Sequence, residues 1–164
     1  MFKNLYLILF LSFTFISIGQ NRIDKALERH NKGSITYIDV NNLKEKLNNK
    51  EDLFLLDTRT LEEYEVSHIK NATWVGYKKF DKSKVKHLDK TKPIVVYCSI
   101  GVRSEKIGEK LLKLGFVDVK NLYGGIFQWV NEGYPVFING LQTQKIHAFN
   151  KSWGKSLKRG QKVF

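Results

Sequence analysis

The stretch Ile94-Val95-Val96-Tyr97-Cys98-Ser99-Ile100-Gly101-Val102-Arg103-Ser104 decides how this chain is read. Its first four residues are an apolar β run, the best strand signal in the sequence. From Val102 to Leu114 the pattern is helical, with Ile107, Leu111, Leu112 and Leu114 as its apolar positions and Gly115 placed as its stop. A strand that ends in a cysteine, turns tightly and starts a helix points the N–H groups of the turn at the sulfur. The helix N-terminus adds partial positive charge and Arg103 adds a full one. Such surroundings lower a thiol pKa and populate the reactive thiolate. The other reading of Cys98 is a small buried hydrophobe at a strand end. The Gly, Arg and Ser that follow favour a nucleophile.

Outward from this stretch, strand and helix signals alternate. Ile35–Ile38 reads as a short strand, and Asp39 or Asn41 as the cap of a helix with Leu43 and Leu47 inward. Leu53–Leu56 is a continuous apolar run, as expected of a strand buried on both faces. Thr60 with Glu63 is a capping-box pattern for a short helix. Ala72–Val75 and Phe116–Val119 are further strand candidates, and the charged stretch 78–92 is expected to be an exposed helix. Tyr123-Gly124-Gly125 turns into a last helix through Asn131. This alternation predicts an α/β fold, a parallel sheet with helices on both faces. Ligands of such sheets sit beyond the carboxyl ends of the strands, where Cys98 lies.

Residues 1–19 read as a secretory signal peptide, with Lys3 at the start, an apolar run from Leu5 to Ile18 and small residues at Ser17 and Gly19. The expectation is a periplasmic or secreted chain beginning at Gln20, an uncleaved membrane anchor being the alternative. A single cysteine allows no internal disulfide, so stability rests on an ordinary core. Residues 20–34 read as a polar lead-in, with Ile23, Ala26 and Leu27 at helical spacing. Residues 35–136 form the domain, and residues 137–164 a basic C-terminal extension.

The blocks Leu56-Asp57-Thr58-Arg59, Glu62-Glu63-Tyr64, His68-Ile69-Lys70-Asn71-Ala72, Val96 through Ser104, Asn121 through Ile126 and Trp129 occur in order along the chain. Together they resemble the rhodanese-like domain family, especially its single-domain secreted sulfurtransferases. Lys70-Asn71 departs from that family's usual Pro-Gly. The resemblance implies a three-layer domain and sulfur transfer by double displacement. In that scheme Cys98 takes a sulfane sulfur from a donor such as thiosulfate, becomes a persulfide and passes the sulfur to a thiophilic acceptor. The amides of Ser99, Ile100, Gly101, Val102, Arg103 and Ser104 would hold the terminal sulfur, and Gly101 would let the backbone turn close to it. Arg103 would attract an anionic donor. Four residues separate Cys98 from Arg103, where related phosphatases and many arsenate reductases have five; the shorter loop favours a single bound sulfur. The competing readings are a non-catalytic binding module and, behind it, a phosphatase or arsenate reductase.

Arg59 has two readings: an anion-drawing residue at the mouth of the site, or a partner in a loop-organising salt bridge with Glu62 or Glu63. His68 reads as a turn organiser rather than a base. His30, His87 and His147 show no ligand spacing, and no metal site, Gly-Lys-Ser/Thr phosphate loop or dinucleotide fingerprint is present; no cofactor is expected. The formal charge is +12, and residues 137–164 contain no acidic residue. Phe149, Trp153 and Leu157 recur every fourth position, which would align them on one helical face. The extension then reads either as a basic amphipathic segment for an acidic partner or anionic membrane surface, or as a segment packed back on the domain. Nucleic acid is not expected as a partner of an exported chain.

Overall fold

All four side chains of β4 (Ile94–Tyr97) are buried, three aliphatic and one a tyrosine whose hydroxyl accepts from the Ile69 N–H, so this strand tolerates water on neither face and takes the centre of the sheet. It pairs in parallel with β2 (Phe54–Asp57), Phe54 opposite Ile94 and Asp57 opposite Tyr97. On its other side it pairs with β5 (Val119–Leu122), Val96 opposite Asn121. β1 (Tyr37–Ile38) joins β5 and β3 (Thr73–Trp74) joins β2, giving a five-stranded parallel sheet in the order β1-β5-β4-β2-β3. This computed structural model describes residues 22–164. The expected leader at residues 1–19 lies outside them.

The two faces of the sheet separate the core by the strand period of two. Val95 and Tyr97 face a cluster supplied by α1 (residues 22–30), α2 (Val40–Asn48) and α5 (Gly125–Asn131). Ile94 and Val96 face a second cluster with Ile107 and Leu111 of α4 (Val102–Lys113). Helices therefore cover both faces, the expected three-layer α/β arrangement. Asp39 caps α2 by accepting from the Asn41 and Asn42 N–H groups. Thr60 and Glu63 form the reciprocal capping box of α3 (Leu61–Val66).

Three local expectations are corrected. The last strand of the sheet begins at Val119 rather than Phe116. After Gly115, whose φ is +90°, Phe116 turns into the core and Val117 is left 71% exposed, so pairing starts only where Val119 meets Ile94. Residues 78–92 form turns and a short 3-10 helix, Lys82–Lys84, instead of an α-helix. Asp81 and Asp89 accept from the backbone N–H groups of Ser83 and Thr91, and such local bonds compete with helix formation.

The third correction concerns the C-terminal extension, which forms no amphipathic helix. β6 (Val136–Ile138) turns at Asn139-Gly140, both with positive φ, and pairs antiparallel with β7 (Leu141–Thr143). This is the two-residue hairpin chemistry of an Asn-Gly turn. β8 (Lys145–His147) then pairs in parallel with β9 (Gln161–Val163), and a 3-10 helix over Trp153–Ser156 lies between them. Ile146, Ala148 and Leu157 are fully buried. Ile146 and Leu157 share one core cluster with Ile23 and Leu27 of α1, so the packed unit continues past residues 35 and 136 in both directions.

Candidate active site

Cys98 leaves the end of β4 and opens a turn that closes at Gly101, the residue preceding α4. Gly101 has φ +107°, and an added Cβ would lie 3.2 Å from Leu27 and 3.3 Å from the Leu122 carbonyl, so both backbone and space require glycine there. Its N–H donates to Cys98 Sγ at 3.2 Å. From the other side, the N–H groups of Ile126 and Phe127 at the start of α5 donate to the carbonyls of Cys98 and Ser99 at 2.9 and 3.0 Å. Gly125 allows that approach, since a Cβ at this position would collide with the Cys98 carbonyl.

Ser104, one helical turn on, places Oγ 3.5 Å from Cys98 Sγ and 2.7 Å from Asn121 Oδ1. Asn121 lies fully buried in β5 and donates to the Gly101 carbonyl at 2.8 Å, tying the end of the turn and the first turn of α4 to β5. Burial pushes the Cys98 thiol up. The Arg103 charge, the Ser104 hydroxyl and the Ser104 and Gly101 N–H groups outweigh it and hold the thiol below its ordinary value. Cys98 is 1% exposed, yet its sulfur faces the donors of the turn and borders a cavity.

Arg103 extends back across the mouth of the loop to Glu63 in a bidentate pair, both contacts 2.7 Å, and also donates to Ser99 Oγ at 2.9 Å. Ser99 Oγ donates in turn to Glu63 Oε1 at 3.0 Å. Burial alone would raise the Glu63 carboxyl. The Arg103 guanidinium, with the Thr60 N–H, brings it down to about 2. Glu63 thus serves two structures at once, capping α3 and fixing Arg103, and only the first role is visible in its spacing from Thr60.

The structure moves Arg59 away from the mouth. It is 0% exposed, bound to Asp57 through Nε and NH2 and to the Ser67 carbonyl through NH2 at 2.6 Å. It organises a loop, as one reading expected, though through Asp57 rather than Glu62 or Glu63. His68 stacks on Tyr64 and its Nδ1 lies 3.1 Å from the Tyr64 carbonyl, the place of a turn organiser.

A cavity of about 200 Å³ opens above the cysteine. The loop supplies Cys98, Ser99 and Ile100, and the first turn of α4 supplies Val102 and Arg103. The remaining walls come from outside the matched blocks: His30 from the end of α1, and Phe149 and Trp153 from the extension. The sequence marks Phe149 and Trp153 as a periodic pair, but nothing local to them points toward Cys98.

The family model described as Rhodanese-like domain matches residues 39–132, more than half of the chain. The thiosulfate sulfurtransferase GlpE of Coxiella burnetii is 36% identical over 80 residues, which cover 49% of this chain and 74% of that protein. The tRNA uridine(34) hydroxylase of Cytophaga hutchinsonii is 36% identical over 87 residues, 51% of this chain but 28% of its own length. Among solved structures, the BH2092 protein of Bacillus halodurans matches with a TM-score of 0.60 at 28% identity, covering 73% of this chain and 88% of that one. By sequence match and by fold, the chain belongs to the rhodanese-like domain family.

Proposed function

We propose that this protein is a sulfurtransferase that works through a persulfide on Cys98. The observation that carries the reading is the placement of the Cys98 sulfur, held below its ordinary thiol pKa by Arg103, Ser104 and the Gly101 N–H, at the floor of an open cavity. The thiolate attacks the outer sulfur of a donor such as thiosulfate. The sulfur–sulfur bond of the donor breaks, and sulfite leaves with the bonding pair. The terminal sulfur of Cys98–S–S⁻ then takes the place of a bound oxyanion, and preorganised N–H donors stabilise it. A thiophilic acceptor, cyanide or a thiol, attacks that sulfur and regenerates the thiolate.

Loop length supports this chemistry over phosphate or arsenate chemistry, because four residues between Cys98 and Arg103 leave a narrow cradle. Arg103 also spends both terminal nitrogens on Glu63, which leaves it poorly placed to clamp a tetrahedral oxyanion. A binding module without catalysis is the second reading, and the intact cysteine with its lowered pKa speaks against it. Incubation with thiosulfate followed by intact-mass measurement tests the proposal. The expected result is a gain of one sulfur atom that cyanide removes and that Cys98→Ser abolishes. An unchanged mass with every sulfane-sulfur donor tried would remove the proposal.

A further inference from the structure

The walls of the cavity above Cys98 are predominantly apolar: Ile100, Val102, Phe149 and Trp153 surround the approach to the sulfur. Arg103 is the one Lys or Arg side chain among the lining residues, and both of its terminal nitrogens are already engaged. NH1 and NH2 hold Glu63, NH2 also holds Ser99, and the Phe149 ring lies 4.9 Å from Cζ, covering the guanidinium face. Apart from the His30 imidazole, a doubly charged inorganic donor therefore meets a neutralised ion pair and mostly carbon. The volume of about 200 Å³ equals roughly seven waters at ~30 Å³ each, more than a small inorganic anion fills.

Phe149 is held in this position against its own preferences. Its φ is +64°, a left-handed backbone unusual for a bulky residue, and it is 45% exposed beside a fully buried Ala148. The Phe149 N–H donates to His147 Nδ1 at 3.0 Å, and the Trp153 N–H donates to Asn150 Oδ1 at 2.9 Å, which fixes the turn that presents both rings. A segment that served only to cover the core would have no reason to leave an aromatic residue strained and half in water at the mouth.

We propose that Phe149 and Trp153 form the subsite for the organic group of the sulfur donor, and that the donor is a monoanionic organic sulfane-sulfur compound rather than an inorganic dianion. The proposal rests on the Cys98 persulfide reading. With a thiosulfonate R–SO2–S⁻, the Cys98 thiolate attacks the outer sulfur and the S–S bond to the sulfonyl sulfur breaks. Sulfinate R–SO2⁻ leaves with the bonding pair, and Cys98–S–S⁻ carries the remaining charge. An alkyl or aryl persulfide R–S–S⁻ reacts in the same way, releasing the thiolate R–S⁻. In both, R lies against the two aromatic rings while the transferred sulfur enters the turn.

The test compares kcat/KM for benzenethiosulfonate, methanethiosulfonate and thiosulfate with cyanide as acceptor, in the full chain and in Phe149→Gly and Trp153→Ala. Glycine suits the left-handed backbone at position 149, so that variant keeps its fold if Trp153→Ala does not. The expected order is benzenethiosulfonate, then methanethiosulfonate, then thiosulfate. Phe149→Gly is expected to lower the benzenethiosulfonate-to-thiosulfate ratio by about tenfold, the scale of one partly buried apolar group. Thiosulfate equal to or better than benzenethiosulfonate overturns the subsite, as does a ratio unmoved by Phe149→Gly, while sulfur transfer itself stands. Loading of Cys98 by none of the three donors overturns the persulfide reading and the subsite with it.

Discussion

Two buried arginine–carboxylate pairs stand at the carboxyl edge of the same sheet, and they do different work. Arg59 and Asp57 are both 0% exposed, two residues apart in sequence, and close a loop just past β2. Arg103 and Glu63 are 40 residues apart, and the Arg103 side chain keeps 15% of its surface at the mouth beside Cys98. The first pair has no route to the cavity. Its charges are cancelled locally, and its effect is to fix the backbone from Asp57 to Ser67. The second pair is also nearly neutral as a unit, but its cation lies on the sulfur side and lowers the thiol pKa. Position relative to the Cys98 sulfur, rather than the strength of the pair, separates an arginine that only braces a loop from one that acts on the thiol.

The largest expected effect breaks the first pair. Arg59→Ala leaves the Asp57 carboxylate buried without its cation, a change that costs about 3–5 kcal/mol in comparable sites. Urea unfolding followed by circular dichroism measures it, and a loss under about 1 kcal/mol would mean that the pair is hydrated or expendable. The second pair is reached by acid. Glu63 sits near 2 in the folded chain against an ordinary 4.5, so its contribution is complete above pH 4.5 and is lost as the pH falls toward about 2. A shift of that size corresponds to about 3 kcal/mol. Glu63→Gln is expected to flatten the stability profile over that interval, and an acid profile identical to that of the unaltered chain would contradict the assignment.

A smaller effect separates the pairs by their reach to the sulfur. Arg103→Met is expected to raise the Cys98 pKa and slow its alkylation at neutral pH by about tenfold, the order of one opposite charge nearby. Arg59→Met should leave that rate near its original value in the folded fraction. The smallest effect concerns the polar tie behind the loop. Asn121→Ala removes the acceptor of Ser104 and one of the two donors to the Gly101 carbonyl, Asn31 Nδ2 at 3.0 Å remaining, at a cost of about 1 kcal/mol for the hydrogen bonds lost. The alkylation rate is expected to fall slightly with it, because the Gly101 N–H is then held at Sγ through Asn31 alone.

The parts of this molecule that depend on neighbours along the chain are legible in its sequence. Ile94–Tyr97 is continuous and apolar and forms the central strand; the Thr60–Glu63 spacing forms a capping box; the step from Cys98 to Val102 forms a turn and a helix start. Contacts between distant segments are not legible in this way. Nothing near Glu63 announces Arg103, and Asn121 sits inside a strand, where its residue type is uncommon, because Ser104 and Gly101 supply partners from another element. The extension misleads for another reason. A four-residue spacing of Phe149, Trp153 and Leu157 imitates a helix, while Asn139-Gly140 between apolar residues is the stronger local signal and makes a hairpin. Arg59 shows the limit of charge as a guide, since an arginine near the site edge proves to be wholly inside the protein.

Because Cys98 is the lone cysteine, the chain carries its own reference for the central claim that the turn holds this sulfur as a thiolate. Thiolate absorbance followed against pH, in the folded protein and again in urea, compares the site with the same residue stripped of its surroundings. A folded midpoint clearly below the unfolded one is the predicted result. A folded midpoint equal to or above it would contradict the account.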